Sequence, residues 1–262
     1  MSTATAAMWT ELLKARRSRL PWVTAAAFTI AAGFGGLIMF ILQDVRRARA
    51  LGLLGTKAAL TGGTADWPAY FALLAQITAV GGAVLFGVIV IWTFGREFSQ
   101  GTAKDLLALP TPRTTIVAAK FAVTTGWSLA LAIQTYLLGL VIGAALGLPG
   151  WSAAVAATGL GKLLLTAALT IAVVTPFAFA ASAGRGYLAG IGALFLAVFL
   201  AQVIALLGYG PYFPWSVPAL VTDIAGPGRQ PPGPLGYGLV AIVGIAGTLG
   251  TALWWKHADQ DR

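Results

Sequence analysis

The chain has 262 residues, a formal charge of +9, 58% hydrophobic and 10% charged residues, and a mean hydropathy of +0.83. A soluble domain carries about 25% charged residues, so the composition excludes a water-soluble globule and points to an integral membrane protein. The absence of cysteine removes disulfides and thiolate chemistry, and His257, the single histidine, leaves no cluster for a metal.

From the N-terminus, residues 8–22, "MWTELLKARRSRLPW", place Trp9, Leu12, Leu13 and Leu20 near one face at helical spacing, with basic residues over much of the remainder. Such a helix lies in the inner membrane interface. Pro21 then turns the chain into a first span over 22–43, since proline suits a helix's first turn. That stretch is long enough to cross a bilayer, so no removable signal peptide is expected. Further apolar segments of membrane length cover 68–94, 115–147, 163–183, 187–208 and 235–255. All six are expected to be helices, because a lone strand leaves its backbone unpaired in lipid. The fold class is an all-α membrane protein forming one transmembrane domain over 1–262.

Lysine and arginine counts set the orientation. With the N-terminus inside, Lys14, Arg16, Arg17, Arg19, Arg96, Lys104, Arg113, Lys120, Arg185, Lys256 and Arg262 are cytoplasmic. Arg46, Arg47, Arg49, Lys57, Lys162 and Arg229 fall outside. Both termini are therefore expected in the cytoplasm, with the positive charge facing anionic lipid rather than nucleic acid. Aromatic residues flank the spans at both ends: Trp22, Trp92, Tyr187, Trp254 and Trp255 inside, and Trp67, Trp151, Trp215 and Tyr237 outside. This pattern fits interfacial belts.

Residues 96–115, "REFSQGTAKDLLALPTPRTT", gather many of the few charges into one internal loop. Gly101 permits a sharp reversal out of the second span, and Thr102 with Asp105 has capping-box spacing. A short helix over 103–109 is expected, displaying Leu106, Leu107 and Leu109 and stopped by Pro110. Thr111 followed by Pro112 reads as an N-cap and first-turn proline for the third span. A leucine-bearing helix at a cytoplasmic surface calls for a groove on a partner.

"EFSQGTAKDLLALPTPR" resembles the E-F-x-x-G-T, L-L, P-x-S-R signature of ABC-2 type transporter permeases, through Glu97, Phe98, Gly101, Thr102, Leu106, Leu107, Pro110 and Arg113. Pro112 departs from it, standing where that family usually has Ser or Thr. The resemblance implies a multi-pass subunit of a bacterial exporter in the cytoplasmic membrane. It implies that the loop is a coupling helix docked on a separate ABC ATPase, which binds the ATP and magnesium, and that a second permease copy or homologous half completes the transporter. Glu97 would then anchor the lever's base near Arg96 or Arg113, while Leu106 and Leu107 fill the partner's groove.

"ATGLGKL" (157–163) lacks the glycine and hydroxyl that a phosphate loop needs, so no nucleotide site is assigned to this chain. Gln76, Gln134 and Gln202 are the most polar candidates within the spans, either lining a substrate path or bonding helices together. Lys120 and Lys162 are expected near span ends. With no acid at mid-depth, an ion-coupled carrier or channel is the less favoured alternative. Gly139, Gly143 and Gly147, and likewise Gly186 and Gly190, have the four-residue spacing that lets helices approach closely. The outer segment 209–234 is rich in Pro and Gly but also in aromatics, so it is expected to cap the external mouth, with 226–234 as a flexible loop. An apolar interior suits a hydrophobic or amphipathic cargo: an antibiotic, a peptide antibiotic or a lipid.

Overall fold

A computed structural model describes residues 2–44, 52, 63–108, 110–222 and 232–257. Helix α1 covers Thr3–Arg16 and α2 covers Leu20–Gln43, starting with Pro21 in its first turn. Helix α3 runs Trp67–Ser99, the short α4 Ala103–Leu107, and α5 Arg113–Ala145. Then follow α6 (Ala153–Val174), α7 (Pro176–Ala183), α8 (Tyr187–Leu206), α9 (Val217–Leu220) and α10 (Pro234–His257). No strand occurs among the described residues. Six stretches have the length and apolarity to cross a bilayer, with α6 and α7 together forming the fourth.

The fourth span begins ten residues before the expected position, at Ala153 rather than 163. Ser152 explains the difference: its hydroxyl accepts from the Val155 amide at 3.1 Å and satisfies a free end donor. Asp66 caps α3 in the same way, through the Ala69 amide at 2.8 Å. The fourth span breaks at Thr175–Pro176, because Pro176 has no N–H for the ladder. The Ala172 carbonyl instead accepts from the Thr175 amide at 3.3 Å and hydroxyl at 2.9 Å. That hydroxyl also reaches the Gly244 carbonyl on α10 at 3.1 Å.

Helix α3 is the central post. It touches α2, α5, α6, α7 and α8, and 56% of its apolar stretch is buried, against 17% for α8 at the periphery. Phe86 stacks on Phe28 of α2 with centroids 5.7 Å apart, and Phe71 on Tyr136 of α5 at 5.4 Å. These rings join α2, α3 and α5 into one core. The glycine spacing on α5 serves this packing within the chain. A Cβ on Gly143 would stand 2.5 Å from the Trp67 ring, and Gly139 lies directly against Leu74. Gly190 of α8 fits Ile91 of α3 in the same manner.

At the end of the bundle away from α1, the aromatic segment folds back onto the helices. Val217, Pro218 and Leu220 are buried, the Ser216 hydroxyl donates to the Ala201 carbonyl at 3.0 Å, and Gln76 donates to the Thr222 carbonyl at 3.2 Å. Of the expected flexible loop, 226–231 lie outside the described residues, and Pro234 already opens α10. Arg46, Arg47, Arg49, Lys57, Arg229 and Arg262 also lie outside them.

Gly143→Val is expected to lower stability by about 1–3 kcal/mol through overpacking against Trp67. Gly126→Ala, where a Cβ meets nothing within 4 Å, is expected to be neutral or to stabilise by up to about 1 kcal/mol. Unfolding midpoints in mixed detergent, followed by circular dichroism, measure both.

Candidate functional site

The distinctive chemistry sits where α1, the base of α3 and the first third of α5 meet. Glu97 lies in the last turn of α3 and is only 2% exposed. Its Oε1 accepts from Lys14 Nζ of α1 and Lys120 Nζ of α5, both at 2.8 Å. Glu11 of α1, 5% exposed, accepts from Lys14 on Oε1 at 2.8 Å and from Lys120 on Oε2 at 2.9 Å. Lys120 is fully buried and also donates to the Thr93 carbonyl at 3.2 Å. Two acids and two amines thus form a neutral closed ring. Isolated charges in such a place would cost several kcal/mol each, whereas paired and hydrogen-bonded ones persist. Burial disfavours the Lys14 ammonium, but the attraction of Glu11 and Glu97 outweighs it and leaves its pKa raised.

The second oxygen of Glu97 carries the ring into the loop. Thr102 Oγ1 donates to Glu97 Oε2 at 2.6 Å. This replaces the expected capping box: Thr102 has helical φ and ψ of −83° and −4°, makes no cap bond, and leaves Asp105 exposed. Gly101 makes the reversal with a φ of +72°, in the left-handed region that costs other residues about 1–2 kcal/mol. The short helix ends at Leu107, two residues before the expected end. Leu106 is half-buried and packs on the chain's own core rather than standing free. The Leu107 side chain and Leu109 lie outside the described residues, and Pro110 is exposed just beyond. Helix α5 starts one residue later than expected: Pro112, with ψ of 131°, is the N-cap, and its carbonyl accepts from the Thr115 amide at 2.9 Å.

Two expected partners of Glu97 are elsewhere. Successive helical residues point about 100° apart, so Arg96 turns away from the ring, over the Trp92 indole at 4.6 Å from its centroid. Arg113 donates to the carbonyls of Trp255 and Lys256 at 3.3 and 3.4 Å, tying the start of α5 to the end of α10. Phe98 meets Trp254 and Trp255 edge-on, each at 5.7 Å. Sequence reasoning placed Lys120 at a span end, counted Lys14 among the cytoplasmic basic residues and did not single out Glu11. The usable signals were an acid three residues before a lysine in an otherwise basic segment, and a lysine flanked by apolar residues on α5.

The glutamines separate. Gln134 donates to the Ala25 carbonyl at 2.9 Å and to Thr29 Oγ1 at 2.8 Å, and Gln76 holds the cap, so both bond elements together. Gln202 borders an apolar cavity of about 370 Å³ that includes Phe177, Trp215 and Ser216. The "ATGLGKL" stretch runs inside α6, where Gly159 packs against Phe71 instead of forming a loop.

Six apolar stretches of membrane length, two of them joined to α1 by a buried ring of charges, define a multi-pass membrane protein. The chain belongs to the ABC-2 family of transporter proteins, whose family model matches residues 7–202, a range that contains all four ring residues and the α3–α5 loop. It is similar to the bacitracin transport permease protein BCRB of Bacillus licheniformis, with 27% identity over 182 residues, covering 68% of this chain and 85% of that relative.

Lys120→Met leaves the two ring carboxylates with one amine, and stability is expected to fall by about 3–5 kcal/mol. Adding Glu97→Gln restores charge balance and is expected to recover a large part of that loss. Detergent unfolding midpoints of the single and double variants decide it; additive losses would contradict a closed ring.

Proposed function

We propose that this chain is the membrane subunit of an ATP-driven exporter in a bacterial cytoplasmic membrane, with both termini on the cytoplasmic side. Two permeases form the path, and two separate ATPase chains bind and hydrolyse the ATP with its magnesium. The segment from Glu97 to Arg113 is the coupling element. Gly101 reverses the chain, Leu107 and the exposed face of α4 meet the ATPase, Asp105 adds a charge at that contact, and Pro110 ends the lever. The observation that carries this reading is the bond from Thr102 to Glu97, at 2.6 Å. Displacement of α4 by an ATPase reaches the ring through that bond, and through the ring it reaches α1, α3 and α5 together. Leu106 and Phe98 hold the same base against α10 and the core. Such a push biases the balance of inward- and outward-open states only because contacts at α4 differ between them.

The cargo we favour is an amphipathic peptide antibiotic of the bacitracin kind, following what the similar permease is named for. A cavity of about 370 Å³ lies near the lower limit of small-molecule pockets, about 300–1,000 Å³. A peptide therefore passes between two permeases rather than through one, and Gln202 at the cavity rim is the glutamine left to meet it. The alternative of an ion-coupled carrier needs an acid free to change its charge along the path. Among the described residues both buried acids sit at the α1 end, and every oxygen they carry accepts a hydrogen bond.

Leu106→Asp and Gly101→Val are expected to leave folded protein while reducing ATPase co-purification and ATP-dependent bacitracin uptake into inverted vesicles by about tenfold or more. Full transport by both variants would refute the coupling role. Uptake by the purified permease alone would refute the need for an ATPase.

A further inference from the structure

Beside the charge ring, a polar hollow of about 360 Å³ opens between α1 and the base of α3, lined by Thr10, Leu13, Lys14, Arg17, Ser18 and Arg96. Arg96 is held there without an acceptor. Its Nε and Nη1 are shielded from solvent and have no hydrogen-bond partner, and Nη2 reaches Gln100 Oε1 only at 3.4 Å. A charged donor sealed from water without a partner is unfavourable and calls for an acceptor. Neither neighbouring acid supplies one, since Glu11 and Glu97 are both consumed by Lys14, Lys120 and Thr102. Arg17 makes no ion pair among the described residues. Four cations (Lys14, Lys120, Arg17, Arg96) against two acids leave an excess of two positive charges facing this hollow.

We infer that the hollow binds the phosphate group of an anionic membrane lipid. Arg96 supplies the fixed guanidinium of the site. Arg17 closes over it from α1, and Lys14 offers the one ammonium proton its two acids leave free. Thr10 and Ser18 add no donor, because their hydroxyls already donate to the Ala6 and Ala15 carbonyls at 2.9 and 2.8 Å. An arginine fork with an adjacent cation matches phosphate geometry. The surroundings make the source a lipid. Trp9 and Leu12 adjoin the lining residues on α1, and Trp22 and Val23 follow one turn after Ser18. These side chains are 52%, 39%, 77% and 62% exposed, apolar surface in the same stretch of chain that suits acyl chains.

The test uses the full chain in dodecylmaltoside micelles containing phosphatidylglycerol or phosphatidylcholine, with retained lipid counted by native mass spectrometry. Phosphatidylglycerol should be retained preferentially. Arg96→Gln and Arg17→Gln should each weaken retention about fivefold or more, while Arg19→Gln, outside the hollow, should not. Size exclusion and circular dichroism confirm folding, and exposed Arg17 keeps the test decisive if Arg96→Gln misfolds. Unchanged retention in both variants overturns the site. Displacement of the lipid by millimolar inorganic phosphate, with Arg96-dependent phosphate binding by delipidated protein, overturns the lipid as its source.

Discussion

Everything at the α1 end depends on keeping Lys120 charged where no water reaches it. A fully buried ammonium requires acids within hydrogen-bonding distance, and the chain supplies them from two directions: Glu97 from α3 and Glu11 from α1. Neither acid is tolerable without the amines, and neither amine without the acids. Three elements are therefore fixed by one electrostatic condition, with α1 joined to α3 and α5 across 83 and 109 residues of sequence. Apolar packing between α3 and α5 sets their distance, but it does not specify where α1 must lie. The ring does.

The ring also explains how an amphipathic N-terminal helix and a short loop helix form one mechanical unit in this ABC-2 permease. Buried ion pairs contribute little net stability compared with apolar packing, yet they punish misalignment severely. Glu97 has one oxygen on the lysines and the other on Thr102, so movement of the loop and position of α1 are read by a single carboxylate. Around it, Phe98 and Arg113 fasten the same region to α10, through indole contacts and carbonyl hydrogen bonds respectively. The base of α3 is thereby fastened to α1, α5 and α10.

The large features were legible from composition and periodicity, because burial of about 20 consecutive apolar residues leaves few alternatives. Helix ends were legible where a proline or glycine acts alone, as at Pro21 and Gly101. They failed where side chains had better offers. Thr102 could have capped α4, but its hydroxyl is turned to donate to the buried Glu97 carboxylate and its backbone is helical rather than extended. Ser152 was passed over because the window before residue 163 is less uniformly apolar, though one hydroxyl sufficed to start α6 there. The charge ring was unreadable for a different reason. Its members lie 83 to 109 positions apart, or, for Glu97 and Lys120, on two helices whose relative rotation only packing decides. Glutamines were readable as polar but not as bonded or free. Gln134 and Gln202 look alike in sequence, and only the neighbour across the interface separates them.

The interruption at Thr175–Pro176 gives the fourth span a pivot. With no amide at Pro176, the rods on either side share a carbonyl held by one threonine instead of a continuous ladder. That threonine also grips the backbone of α10, so the joint is clamped laterally. The bend is therefore a fixed joint of the fourth span, set by a missing amide on one side and by the neighbouring helix on the other.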